Sequence, residues 1–170
     1  IRSNKVWFAL FHDREFQEIL TEYDKCVIQK FVPPTFRLAS NNFNNFIHNK
    51  DNFVFKKNRS YGGLGVLMGS EHTKQLLEQK ITDLNNWTVQ KVIEADQVRI
   101  PSDDSFILEA HKVVLGLFFL KERFSGMLVR ANTKSNVVNV TYGGAKMGWA
   151  YPMTKNECEK YIKQLGNTPK

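Results

Sequence analysis

Two cysteines in 170 residues, Cys26 and Cys158, stand far apart and belong to no CxxC or Cys/His spacing. A disulfide framework is thereby excluded, structural zinc has no ligand set, and a reducing cytoplasm is the expected setting. Long hydrophobic runs are missing too. The longest, Val113 to Leu120, contains Gly116 and is far too short to cross a bilayer. No signal-peptide pattern is visible, so no membrane partner is expected. The four histidines, His12, His48, His72 and His111, form no spaced set, and no serine or cysteine sits in a nucleophile motif, which argues against covalent hydrolysis. Internal repeats, low-complexity tracts and linkers are absent as well. The chain opens at Ile1 and reads as a piece of a longer protein.

What is present is a folded composition. Hydrophobic residues make up 42% and aromatic ones 12%, well above what a disordered chain carries. Thirteen Phe fall in separate short runs such as Phe53-Val54-Phe55 and Phe118-Phe119, as core strands would have them. At this length one domain, or two small lobes, can bury a real core. The formal net charge of +7 favours an anionic partner without choosing among nucleotide, nucleic acid and membrane. The charge is dispersed, and Lys56-Lys57-Asn58-Arg59 is the one tight basic cluster.

Lys5–Phe11 is an apolar run of strand length, and a helix capped by Asp13 is expected to follow through about Tyr23. Val27-Ile28 predicts a short strand ending at Pro33-Pro34, and Ser40 a helix ending near Asn49. Strands are expected at 53–56, 65–68 and 87–93, with an amphipathic helix from Ser70 to about Asp83 turning Leu76, Leu77 and Ile81 inward. Further strands are expected at 106–120, bent near Gly116, at 126–131 and at 137–140. Thr154 with Glu157 forms a capping box for a last helix that ends at Gly166. The class is α+β, with a mostly antiparallel sheet in the second half.

Gly62, Gly63 and Gly65 suit a loop whose amides approach phosphate oxygens with no Cβ in the way. A P-loop would read GxxxxGK[ST] and lead into a helix; a GxGxxG fingerprint would also open a helix. Neither fits, because Val66, Leu67 and Met68 read as a strand. The glycines therefore sit at a hairpin tip, a flap of the kind that folds over ATP, although an ordinary β-turn needing positive φ fits them as well. Lys56, at the end of the preceding strand, supplies a compact cation on a long stem within reach of phosphates beneath such a flap.

The segment from Phe53 to Val66, FVFKKNRSYGGLGV, resembles the pattern V-L-K-P-N-x-x-Y-G-G-K-G-V of circularly permuted, glutathionylspermidine-synthase-like ATP-grasp proteins. Asn4-Lys5 resembles the same group's N-K start, and Lys30–Thr35 its K-x-V-P-x-T. Trp87–Ile93 resembles W-V-V-Q-E-Y-I, and Gly126–Arg130, Asn139-Val140 and Gly143-Gly144 resemble the closing G-x-x-x-R, N-V and G-G. The resemblance spans nearly the whole chain. It implies a single ATP-grasp-like domain over 1–170, in two small α/β lobes of about 1–86 and 87–170 with a glycine-rich hairpin flap. It also implies an ATP-dependent carboxylate–amine ligase acting through an acyl-phosphate, with ATP and magnesium (Mg2+) as cofactors and small-molecule or peptide carboxylates and amines as substrates.

Residue by residue, the resemblance gives Lys56 and Lys30 to the nucleotide and Gly62, Gly63 and Gly65 to the flap. Backbone groups of Gln90, Lys91 and Val92 would meet the adenine edge, Arg130 the γ-phosphate or acyl-phosphate, and Asn139 the magnesium. The sequence departs from the pattern where Lys57 replaces proline, Leu64 the loop lysine and Lys91 the hinge glutamate. Catalytic sites of this kind hold magnesium with carboxylates, and the stretch before Asn139 has none. Glu109 is the first acid expected near Asn139, Glu122 the second. Two alternatives stand beside the ligase: a non-catalytic nucleotide-binding or scaffolding domain, and a nucleic-acid-binding module, which lacks an RRM, KH or helix-turn-helix signature.

Overall fold

The computed structural model describes residues 4–101, 107–133, 138, 145–150 and 152–166. It is α+β, with two four-stranded antiparallel sheets. Along the chain come α1 (Val6–Leu10), α2 (Arg14–Glu18), α3 (Glu22–Phe31), β1 (Thr35–Arg37), α4 (Phe43–His48), β2 (Phe53–Lys57), β3 (Val66–Met68), α5 (Lys74–Lys80) and β4 (Trp87–Lys91). Then follow β5 (Gln97–Pro101), β6 (Leu108–Leu120), β7 (Arg123–Asn132), β8 (Lys146–Ala150) and α6 (Lys155–Gly166). Among the described residues no helix is long and apolar enough to cross a membrane.

The first sheet runs β1-β4-β2-β3. Strand alternation divides its residues between two environments. Phe55 pairs with Val89 and with Leu67, and these side chains point into the core together with Trp87. They meet Phe46 and Ile47 of α4, and Leu77 and Ile81 of and just after α5. The alternate residues, Thr35, Val54, Lys56, Val66, Met68, Thr88 and Gln90, share the other face by register. The second sheet is a meander, β5-β6-β7-β8.

Several expected elements differ. The apolar run at 5–11 forms α1 and not a strand: Asn4 Oδ1 accepts from the Val6 amide at 3.1 Å, and Ala9 alone among its residues is buried. Val27 and Ile28, expected in a strand, lie inside α3. A capping box starts that helix, with Thr21 Oγ1 accepting from the Asp24 amide and the Asp24 carboxylate from the Thr21 amide. The helix capped by Asp13 stops at Glu18. Helix α5 is shorter than expected because Thr73 caps it at Leu76, and Leu76 itself is exposed while Leu77 is fully buried. Its i, i+4 pair 77/81 faces the core, a stripe that leaves 76 off axis. Strands β5 and β8 come without a sequence expectation. The strand expected at 137–140 lies, Val138 apart, outside the described residues.

The long strand pair β6–β7 closes in a two-residue turn, with positive φ at Lys121 (47°) and Glu122 (65°), the signature of a type I′ hairpin. The expected irregularity near Gly116 falls two residues later, where the register slips between Phe118 and Phe119 opposite Ser125. Toward this tip the hairpin exposes apolar residues on both faces: Leu115, Leu117 and Phe119 on one, Phe118 and Leu120 on the other. At the C-terminal end the capping box is formed as expected. The Thr154 amide donates to Glu157 Oε2 at 2.8 Å, and Thr154 Oγ1 accepts from the Glu157 amide at 3.3 Å.

Candidate functional site

The non-core face of the first sheet forms the floor of a cleft of about 510 Å³, within the range of small-ligand sites. Val54, Lys56, Thr88 and Gln90 lie on the floor, Val66 and Met68 beside them, and Gly63 at the rim. Lys5 and Phe8 enter from the start of the chain, Lys91 to Ile93 from the end of β4, and Arg130 and Val138 from the second half. The site combines apolar and cationic lining. Lys5, Lys56 and Arg130 contribute three cations, Lys91 lying by strand parity on the opposite face beside Phe53, and no Asp or Glu lies among its described lining residues.

Lys56 is held in place by a polar relay. Its Nζ donates to Gln90 Oε1 at 2.5 Å, Gln90 Nε2 donates to Thr35 Oγ1 at 2.7 Å, and that hydroxyl donates to the Pro33 carbonyl at 2.8 Å. Thr88 Oγ1 donates to the Lys56 carbonyl at 3.3 Å. Burial holds the Lys56 ammonium below the usual lysine range, and the positive charge of Lys5 adds to the effect. Lys5, itself lowered by burial, donates from Nζ to the carbonyls of Lys57 (3.0 Å) and Ser60 (2.6 Å). Its backbone amide also bonds the Asn58 carbonyl at 3.0 Å. The residue thus stitches the start of α1 to the base of the glycine loop.

That loop needs its glycines. Gly62, Gly63 and Gly65 all have positive φ, at 62°, 86° and 68°. The Lys57 amide donates to the Gly65 carbonyl at 2.7 Å, and Ser60 Oγ donates to the Leu64 carbonyl. A Cβ on Gly65 would stand 2.7 Å from Lys57 Cβ, so Gly65 turns toward the strand. Of the three, only Gly63 lines the cleft.

Of the residues singled out from sequence, Lys56, Gly63, Gln90, Lys91, Val92 and Arg130 converge on the cleft. Gly62 and Gly65 shape the loop beside it. Lys30 does not join them: it lies on the exposed side of α3, its Nζ 5.2 Å from the Phe31 ring centre. The helix that replaced the expected strand at 27–28 carries it away. The backbone groups expected to meet a base are also partly committed, since the Lys91 amide donates to the Pro34 carbonyl (2.8 Å) and the Val92 amide to Asn52 (2.9 Å). Ile93 is the next lining residue, exposed and without a hydrogen bond to the described residues.

Glu109 is not a cleft residue. Arg130 pairs with Val114 on β6, so the two share a face, and Glu109 is five positions from Val114 on the same unbroken strand. Odd spacing on a strand puts it on the opposite face. Asn139 lies outside the described residues. Among the described residues no three His, Cys, Asp or Glu side chains gather where a metal would bind. Magnesium takes hard oxygen ligands, carboxylates above all, and the described lining offers none, so these residues do not fit it. Lys5 is the site residue that sequence reasoning missed. Its signal was the Asn4-Lys5 pair, read as a motif and not as a ligand. No known family model matches the chain, and no curated protein matches it either.

Proposed function

We propose that this chain is an ATP-binding domain of ATP-grasp type, the nucleotide-holding part of an ATP-dependent carboxylate–amine ligase. The reading is carried by Lys5 and Lys56, two partly buried ammonium groups that line one cleft with Gly63, with no carboxylate among the described lining residues. Partly desolvated cations without a counter-charge are costly, and a polyphosphate repays that cost with charge-assisted hydrogen bonds. The apolar lining, with Val54, Met68, Val92 and Ile93, suits the faces of a purine, and the backbone groups of Ile93, which make no hydrogen bond among the described residues, suit the base edge. The sequence resemblance supplies the ligase chemistry: ATP phosphorylates a carboxylate to an acyl-phosphate, and an amine displaces the phosphate. Arg130, beside the lysines, would steady the transferred group.

Calorimetric titration separates this reading from a nucleic-acid one. ATP is expected to bind saturably at one site per chain, and single-stranded RNA only weakly and with a steep salt dependence. Tight RNA binding with no heat from ATP would refute the proposal.

A further inference from the structure

We infer that the cleft takes its nucleotide as free ATP, the metal-free anion, in preference to the magnesium complex. The inference rests on the nucleotide reading and concerns the charge state that the site selects. Lys5, Lys56 and Arg130 come from three separate segments of the chain: the start of α1, β2 and β7. Among the described residues none of the three makes an ion pair. Lys5 and Lys56 are held instead by neutral groups, the carbonyls of Lys57 and Ser60 and the amide oxygen of Gln90. Both ammonium groups are thus positioned while their charge stays uncompensated.

Metal-free ATP carries about four negative charges near neutral pH, counting about two on its terminal phosphate. Three site cations offset most of that charge, and they exceed the roughly two negative charges that the magnesium complex keeps. A bound magnesium ion would cancel two of the negative charges and set a dication beside ammonium groups in a partly desolvated cleft. It would also seek oxygen ligands from the protein, and the described lining has no carboxylate to give, Glu109 being on the far face of its sheet. The cations of this chain therefore do the neutralising that a metal does elsewhere.

The test is calorimetric titration of ATP into the whole chain at matched ionic strength, once with EDTA and once with excess magnesium chloride. Binding in EDTA is expected to be about tenfold tighter, the worth of one favourable charge contact. Affinity equal or tighter with magnesium overturns the inference and leaves nucleotide binding intact. No binding in either condition overturns the nucleotide reading itself. Lys5→Gln gives a second readout. With the melting temperature preserved, it is expected to weaken EDTA binding about tenfold and magnesium binding less, so that the two converge. An equal loss in both conditions counts against charge matching.

Discussion

Lys56 concentrates the chemistry of the cleft in one residue. A charged hydrogen bond from a lysine to a phosphate within a closed site is worth about 1.5–3 kcal/mol. Lys56→Ala is therefore expected to weaken ATP binding tenfold or more, read by titration, with little change in melting temperature. Unchanged affinity would remove Lys56 from the phosphate site. The pH dependence carries a second signature. Lys56 titrates below the usual lysine value of 10.5, through burial first and the Lys5 charge second. Between its lowered value and 10.5 the unfolded chain binds more protons than the folded one, so Lys56 makes stability rise with pH in that window. ATP affinity moves the other way, falling as the ammonium deprotonates, with a midpoint below 10.5. Lys5→Gln should shift that midpoint upward, because it removes the second cause and leaves the first; a midpoint that stays put would show the two lysines to be uncoupled. The sequence made Lys56 legible because strand, lysine and glycine loop are contiguous. It left Lys5 unread and misplaced Lys30, because both depend on how the first helices pack. Glu109 stays out of the described cleft lining because its parity on the strand sets it on the face opposite Arg130.

Elements decide which glycines can change. Gly69 sits in a single 3-10 turn after β3, and a Cβ there would lie 1.9 Å from the Lys50 carbonyl oxygen and 2.8 Å from that of Phe53. Backbone on both sides cannot give way, so Gly69→Ala is expected to cost at least about 3 kcal/mol, the upper range of overpacking. Gly148 on β8 has nothing within 4 Å of such a Cβ. Gly148→Ala is expected to be neutral or to stabilise by up to about 0.5 kcal/mol through reduced chain entropy. Urea midpoints compare the two directly, and similar shifts would contradict the packing around residues 50–53. Strands β2, β3 and β4 were readable in the sequence because apolar core residues alternate there with the polar and charged residues of the cleft floor. Helix α1 was not. Six apolar residues from Val6 to Phe11 without alternation suit a buried strand and a short helix alike, and the bond from the Val6 amide to Asn4 Oδ1 at the helix start is a single local contact. β5 and β8 escaped because Gln97–Pro101 and Lys146–Ala150 carry few core-type side chains and draw their order from pairing with β6 and β7.

At the scale of the whole molecule, the buried cluster among the described residues belongs to the first sheet. Phe55, Leu77, Val89 and their neighbours are buried between the first sheet and α4–α5, whereas the β6–β7 hairpin leaves apolar side chains open on both faces. The cleft lies on the better packed sheet and, among the described residues, borrows Arg130 and Val138 from the other half. A ligand there should quiet one part of the molecule and leave the rest unchanged. Hydrogen exchange with and without ATP tests this most directly. The account predicts slowed exchange at the amides of residues 60–66 and at Ile93, and at Arg130 on β7, with the β6–β7 tip unaffected. Protection confined to the second sheet, or none under saturating ATP, would contradict a nucleotide site on the floor of the first.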